Sequence, residues 1–150
     1  ARGPDFDPEF TQKALVQWLE YQAAYPGHWR AAEGAGRILE ARDRLARKML
    51  KSANLYLRMR MVGPARTYFE RLLVEYGDLP LAGEAEIGLA VCDRLEGNRT
   101  GAIARLTRIE KEHAGQPAAL LARRERERTE KMKAHAPVRP AAHPIPDSGP

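Results

Sequence analysis

Four histidines and one cysteine are the side chains of this sequence whose types suit metal or nucleophilic chemistry. A metal site needs such donors to converge, usually with carboxylates. His28, His113, His135 and His143 are all separate, and there is no HxxxH and no CxxC. His28 follows a turn and His113 ends a repeat. His135 and His143 lie at the edge of, or inside, a proline-rich tail. All four read as cap, surface or tail residues. Cys92 sits in an apolar helical stretch and reads as a small buried hydrophobe; a Cys/His nucleophile pair would require it to leave that face. Gly34-Ala35-Gly36 has no preceding strand and no following Lys-Ser/Thr, so it marks close packing or a bend rather than a phosphate loop. Glu125, Glu127 and Glu130 alternate with arginines, the pattern of an ion-paired solvent face. Catalysis is the least supported class, and no catalytic residue, metal ligand or cofactor is predicted.

Charge is the other resource. The net charge is +5 over 150 residues, with a pI of about 9.6. It is concentrated: residues 28–60 hold nine Lys/Arg against three acids, and residues 121–133 hold six against three. A basic helix suits phosphates or an acidic protein surface. Arg42, Arg44, Arg47, Lys48 and Lys51 cluster within three turns but are expected to point in several directions. With few exposed aromatics and no reading module, nucleic acid is not the predicted partner.

The elements that must position these residues follow from one template. Ala14, Trp18, Tyr21 and Tyr25 are spaced like Ala65, Phe69, Leu72 and Tyr76, and again like Ala102, Leu106, Ile109 and His113. Small, large, large, aromatic at i, i+4, i+7, i+11 is one helix face. A small residue lets a neighbouring helix approach closely, as in the second helix of a tetratricopeptide-type hairpin, whose period is about 34 residues. The offsets here are 51 and then 37.

Asp7-Pro8-Glu9 is a helix start, with Asp as N-cap and Pro at N1, and the first helix is expected to run to Tyr25. The second begins near Trp29 and meets no breaker until Gly63-Pro64. Its stripe of Ile38, Leu45, Met49, Ser52 and Tyr56 predicts one helix of about 30 residues, long for a globular protein. Pro64, Pro80, Thr100 and Pro117 open four more helices. The second half of the sixth is charged all round and is expected to project from the stack. From Ala134 the composition turns proline-rich and reads as an extended or disordered tail.

The predicted architecture is therefore all-α: a tetratricopeptide-like stack of about six helices over 5–133, one of them over-long, with a Pro-rich tail over 134–150. Ala65 and Ala102 should meet Ala53 and Ala90. Tyr56, Phe69 and Leu72 should fill one hairpin, and Leu89, Leu106 and Ile109 the other. Stacking gives right-handed superhelical curvature and a concave groove.

Asp43-Arg44-Leu45-Ala46-Arg47-Lys48, then Ser52 to Tyr56, then Phe69-Glu70-Arg71-Leu72-Leu73-Val74-Glu75-Tyr76-Gly77-Asp78 together resemble the BamD family. These are tetratricopeptide lipoproteins of the bacterial outer-membrane protein assembly machinery. Asp7-Pro8-Glu9, Trp18 and Tyr25-Pro26 match the family's preceding repeat. The resemblance covers roughly residues 5–115, the second half of a typical member. Met61 stands where the family usually has glycine, and Gly77 replaces a turn proline.

The resemblance implies a non-catalytic scaffold at the periplasmic face of the outer membrane. Its partners would be the POTRA region of the barrel assembly protein and other assembly lipoproteins. In the family an arginine at the end of the long helix makes an ion pair with that partner; Arg60 is the matching residue, with Arg58 beside it. The basic long helix adds Arg44 and Arg47 as partner-binding residues. The chain begins at Ala1-Arg2-Gly3-Pro4 and is expected to be part of something longer, with peripheral membrane association through an upstream lipid anchor or through partners. The alternatives are a repeat adaptor of another membrane-associated complex and a polyanion or nucleic-acid binder.

Overall fold

The computed structural model describes residues 8–132. The Asp7 cap, the tail, His135 and His143 lie outside the described residues. Six helices follow in order: α1 (Pro8–Ala24), α2 (Arg30–Arg58), α3 (Val62–Tyr76), α4 (Ala82–Leu95), α5 (Arg99–Glu112) and α6 (Pro117–Lys131). No strand occurs among the described residues. The protein is an all-α stack of helical hairpins.

The long helix α2 serves two hairpins, which explains its length. Its first half packs on α1, where a β-carbon on Gly34 would come within 3.0 Å of the Trp18 indole. Gly34 is thus the close-packing glycine; around Gly36 the space is open. Its second half buries Ala46, Leu50 and Ala53 with Ala65, Phe69 and Leu72 of α3.

Each helix packs on its chain neighbours, and α4 also touches both α2 and α6. Helices α1, α3 and α5 do not touch one another among the described residues. So α2, α4 and α6 form one layer whose members meet, and α1, α3 and α5 form a splayed layer. A layer that meets while the other splays is the arrangement that puts the inner face of such a stack on the α2/α4/α6 side.

The small-residue positions behave as their spacing requires in two repeats. Ala53, Ala65, Ala90 and Ala102 are all fully buried. In the first repeat Ala14 and Tyr25 are exposed, because only one side of α1 is covered. Full burial of Phe69, Leu72, Leu106 and Ile109 contributes about 1.5–3 kcal/mol each.

Leu89 departs from expectation. It joins the α2/α3 cluster with Phe69 and Leu72, while Ile87 packs with Leu106 and Ile109. Two residues apart on a helix lie on nearly opposite faces, and α4 is sandwiched between α3 and α5. Leu79 and Leu81, in the turn before α4, are also buried in the first cluster.

The charged half of α6 does not project. Ala122 and Thr129 are buried, and Arg126 reaches Glu110 of α5 at 2.6 Å. Arg99 donates to the backbone carbonyls of Thr129, at 3.1 Å, and Glu130. These are terminal carbonyls that the helix itself leaves unpaired.

Candidate protein-binding groove

A groove of about 270 Å³ crosses the α2/α4/α6 face. Leu57 of α2, Ile87, Gly88 and Val91 of α4 and Leu121 of α6 give it an apolar floor. Asn54, Glu84, Arg124 and Glu125 form its polar rim. Gly88 is part of the floor because the ring of Phe69 fills the space behind it, where a β-carbon would sit. Three helices thus supply one shallow apolar trough, a shape suited to a side chain or short segment of another protein.

Arg58 and Arg60 stand at the end of α2, the first adjacent to Leu57 and the second one turn beyond it, and both are exposed. Neither has an ion-pair partner among the described residues. Arg60 has φ 61°, which makes it the one non-glycine residue with positive φ among those described. Its N–H donates to the Leu57 carbonyl at 3.0 Å, and that of Met61 to the Tyr56 carbonyl at 2.9 Å. This is a Schellman ending, in which glycine is the usual left-handed residue. Holding arginine there costs about 1–2 kcal/mol.

Across the groove end, Arg94 of α4 and Arg128 of α6 share Glu125, at 3.3 and 3.6 Å. Burial pushes the Arg94 guanidinium below its ordinary range; Glu125 opposes this, and Arg128 and Arg60 add to the lowering. Arg94, Arg128 and Arg60 each lie one turn beyond a groove residue, Val91, Glu125 and Leu57 respectively, and Glu125 pairs with the first two. Sequence reasoning missed Arg94 and Arg128, since nothing in local spacing brings α2, α4 and α6 together.

The other two predicted site residues lie elsewhere. Arg44 pairs with Glu40, and Arg47 with Asp43 at 2.7 Å, both on α2 itself. The basic residues of α2 point in several directions, as expected. Arg47, Lys48, Lys51 and Arg58 share an outward face with Ser52 and Leu55, lining a shallow depression of about 450 Å³. Arg42 turns elsewhere: it grips both oxygens of Asp78 at 2.6 and 2.7 Å and closes the α3–α4 turn onto α2. That contact lowers the Asp78 carboxyl and raises the Arg42 guanidinium, chiefly through the shared hydrogen bonds.

Two further groups bear on chemistry. Cys92 is fully buried, and burial pushes its thiol up to about 11, so it is protonated at neutral pH. His113 is less isolated than its sequence position suggests: donor atoms of Glu86, Glu112 and His113 lie within 4.8 Å of one another. Arg108 already faces both carboxylates, at 3.3 and 3.8 Å, and supplies their counter-charge.

No helix among the described residues is long and apolar enough to cross a membrane. No protein-family model and no curated protein matches the chain.

Proposed function

We propose that this chain is a tetratricopeptide-type scaffold of the outer-membrane protein assembly machinery, acting by binding rather than catalysis. It would hold an acidic surface of a POTRA-containing partner against the groove between α2, α4 and α6. The observation that carries the reading is an apolar three-helix trough with arginines one turn beyond its lining, two of them sharing Glu125. Apolar contact supplies affinity there, and the charges set partner and register. The resemblance of residues 5–115 to the BamD family supplies the envelope setting. Arg60 supports it independently, since a strained, exposed residue without a local partner is where function is expected to offset stability. The test is co-purification with a POTRA protein, using Arg60→Glu at the groove end and Leu121→Asp on its floor. Both should lose the partner; retention by both would sink the reading.

A second reading rests on the outward face of α2, where Lys48, Lys51 and Arg58 exceed the acids that pair Arg44 and Arg47. On that reading the chain is an adaptor of another complex, or a polyanion binder. Steeply salt-dependent oligonucleotide binding, lost on Lys48→Glu/Lys51→Glu, would favour it over the groove.

A further inference from the structure

We infer that Arg94 is the anchor of a carboxylate-binding socket at the end of the groove, made for an acidic side chain of a protein partner. The inference rests on the groove being a protein-binding surface and names the chemistry it recognises.

Arg94 is buried far beyond what its bonding justifies. Its side chain is only 12 % exposed, yet Nε has no hydrogen-bond partner among the described residues. Nη1 points at the Met132 sulfur at 2.9 Å, a weak neutral acceptor. Nη2 is 3.3 Å from Glu125, whose other oxygen faces Arg128. The neighbouring acids are engaged elsewhere: Asp93 and Glu96 bind Arg66, and Glu130 binds Arg126. A buried guanidinium with an idle donor and half a carboxylate is an unfinished ion pair, and such a group calls for an anion.

The geometry also says how the anion arrives. Met132 is 42 % exposed and lies just beyond the end of α6. Swinging its thioether aside uncovers the Arg94 fork without disturbing a helix. Glu125 and Val91 line the groove, so the socket continues the trough rather than standing apart from it. A segment lying along Leu57, Ile87 and Leu121 would place a carboxylate on Arg94, with Arg128 beside it through the shared Glu125. Charge complementarity and an apolar approach together fit an acidic peptide better than a free phosphate, which has nothing to place on the apolar floor.

The experiment titrates the protein with a peptide of alternating leucine and glutamate. The same peptide with glutamine for glutamate, and inorganic phosphate, serve as comparisons. The readouts are the side-chain Nε–H resonance of Arg94 and the methyl resonance of Met132. The acidic peptide should move both, and Arg94→Gln should weaken its binding at least tenfold. Because removing a buried guanidinium endangers the fold, Met132→Ala is the second arm; it should tighten binding about threefold. An unmoved Arg94 resonance, equal binding of the glutamine peptide, response to phosphate but not to the peptide, or unchanged affinity in Met132→Ala would each overturn the socket. Those failures would leave the Arg60 co-purification result standing, so the two readings fail separately.

Discussion

Arg60 and Gly97 occupy the same position in the same helix ending. After α4, Gly97 has φ 90°, its N–H donates to the Arg94 carbonyl at 3.1 Å, and that of Asn98 to the Asp93 carbonyl at 2.9 Å. After α2, Arg60 has φ 61° and the same pair of bonds reaches Leu57 and Tyr56. One ending uses the residue that suits the conformation, and the other uses arginine against its preference. Arg60→Gly should therefore stabilise the fold. Relief of the left-handed strain, about 1–2 kcal/mol, exceeds the loss of a helix-end cation, about 0.3–1 kcal/mol. Urea unfolding should show a gain of about 0.5–1 kcal/mol, together with loss of partner binding. Lower stability would mean that the arginine is structural.

Asp93 is the hub that ties three helices. It is buried and accepts from Arg66 of α3 at 2.7 Å and Arg105 of α5 at 3.0 Å. Burial opposes the charge on Arg66, but hydrogen bonds to Glu96 and Asp93 outweigh it and raise its pKa. Asp93→Asn leaves both guanidinium groups short of charge. The expected cost is about 3 kcal/mol by chemical denaturation. A cost below about 1 kcal/mol would show that Glu96 alone suffices for Arg66.

Gly88→Ala should also destabilise, by about 1–3 kcal/mol, since the new methyl group enters the space of the Phe69 ring. In a Phe69→Leu background the same substitution should cost less. An equal cost of Gly88→Ala in both backgrounds would refute the clash.

Cys92 gives the stack a pH dependence of known sign. Its thiol ionises near 9 when exposed and at about 11 in the fold. Between those values the unfolded chain has lost a proton that the folded chain keeps, so stability falls as pH rises. The slope approaches about 1.4 kcal/mol per pH unit from this group. Cys92→Ala should flatten the decline between pH 9 and 11 relative to the native chain. Parallel curves would place the decline in other groups.

Much of the stack is legible in the sequence because helix faces are local. Ala53, Ala65, Ala90 and Ala102 announce the buried small-residue positions by spacing alone, but α2 ends at Arg58, before Gly63-Pro64, which lie inside α3. What was not legible depends on contacts between layers. Leu89 packs in the α2/α3 cluster, and Ile87 takes the place beside Leu106 and Ile109, because α4 has helices on both sides. Charge hid the seam of α6, although Ala118, Ala122 and Thr129 repeat the offsets 0, 4 and 11 of the template and are all buried. Of the four arginines read as partner-binding, Arg44 and Arg47 pair within α2, Arg58 lines the outward depression, and Arg60 lies one turn beyond Leu57 of the groove. The groove joins residues from 54 to 125, beyond the reach of any periodicity.

The central claim is that the arginine-rich end of the groove binds an acidic protein surface. Its most direct measurement is the dissociation constant for a purified POTRA fragment, by calorimetry, for the native chain and Arg60→Glu. Losing one desolvated charge contact costs about 2–5 kcal/mol, so affinity should fall by about thirtyfold or more with an unchanged helical spectrum. Equal affinity in the two proteins would contradict it.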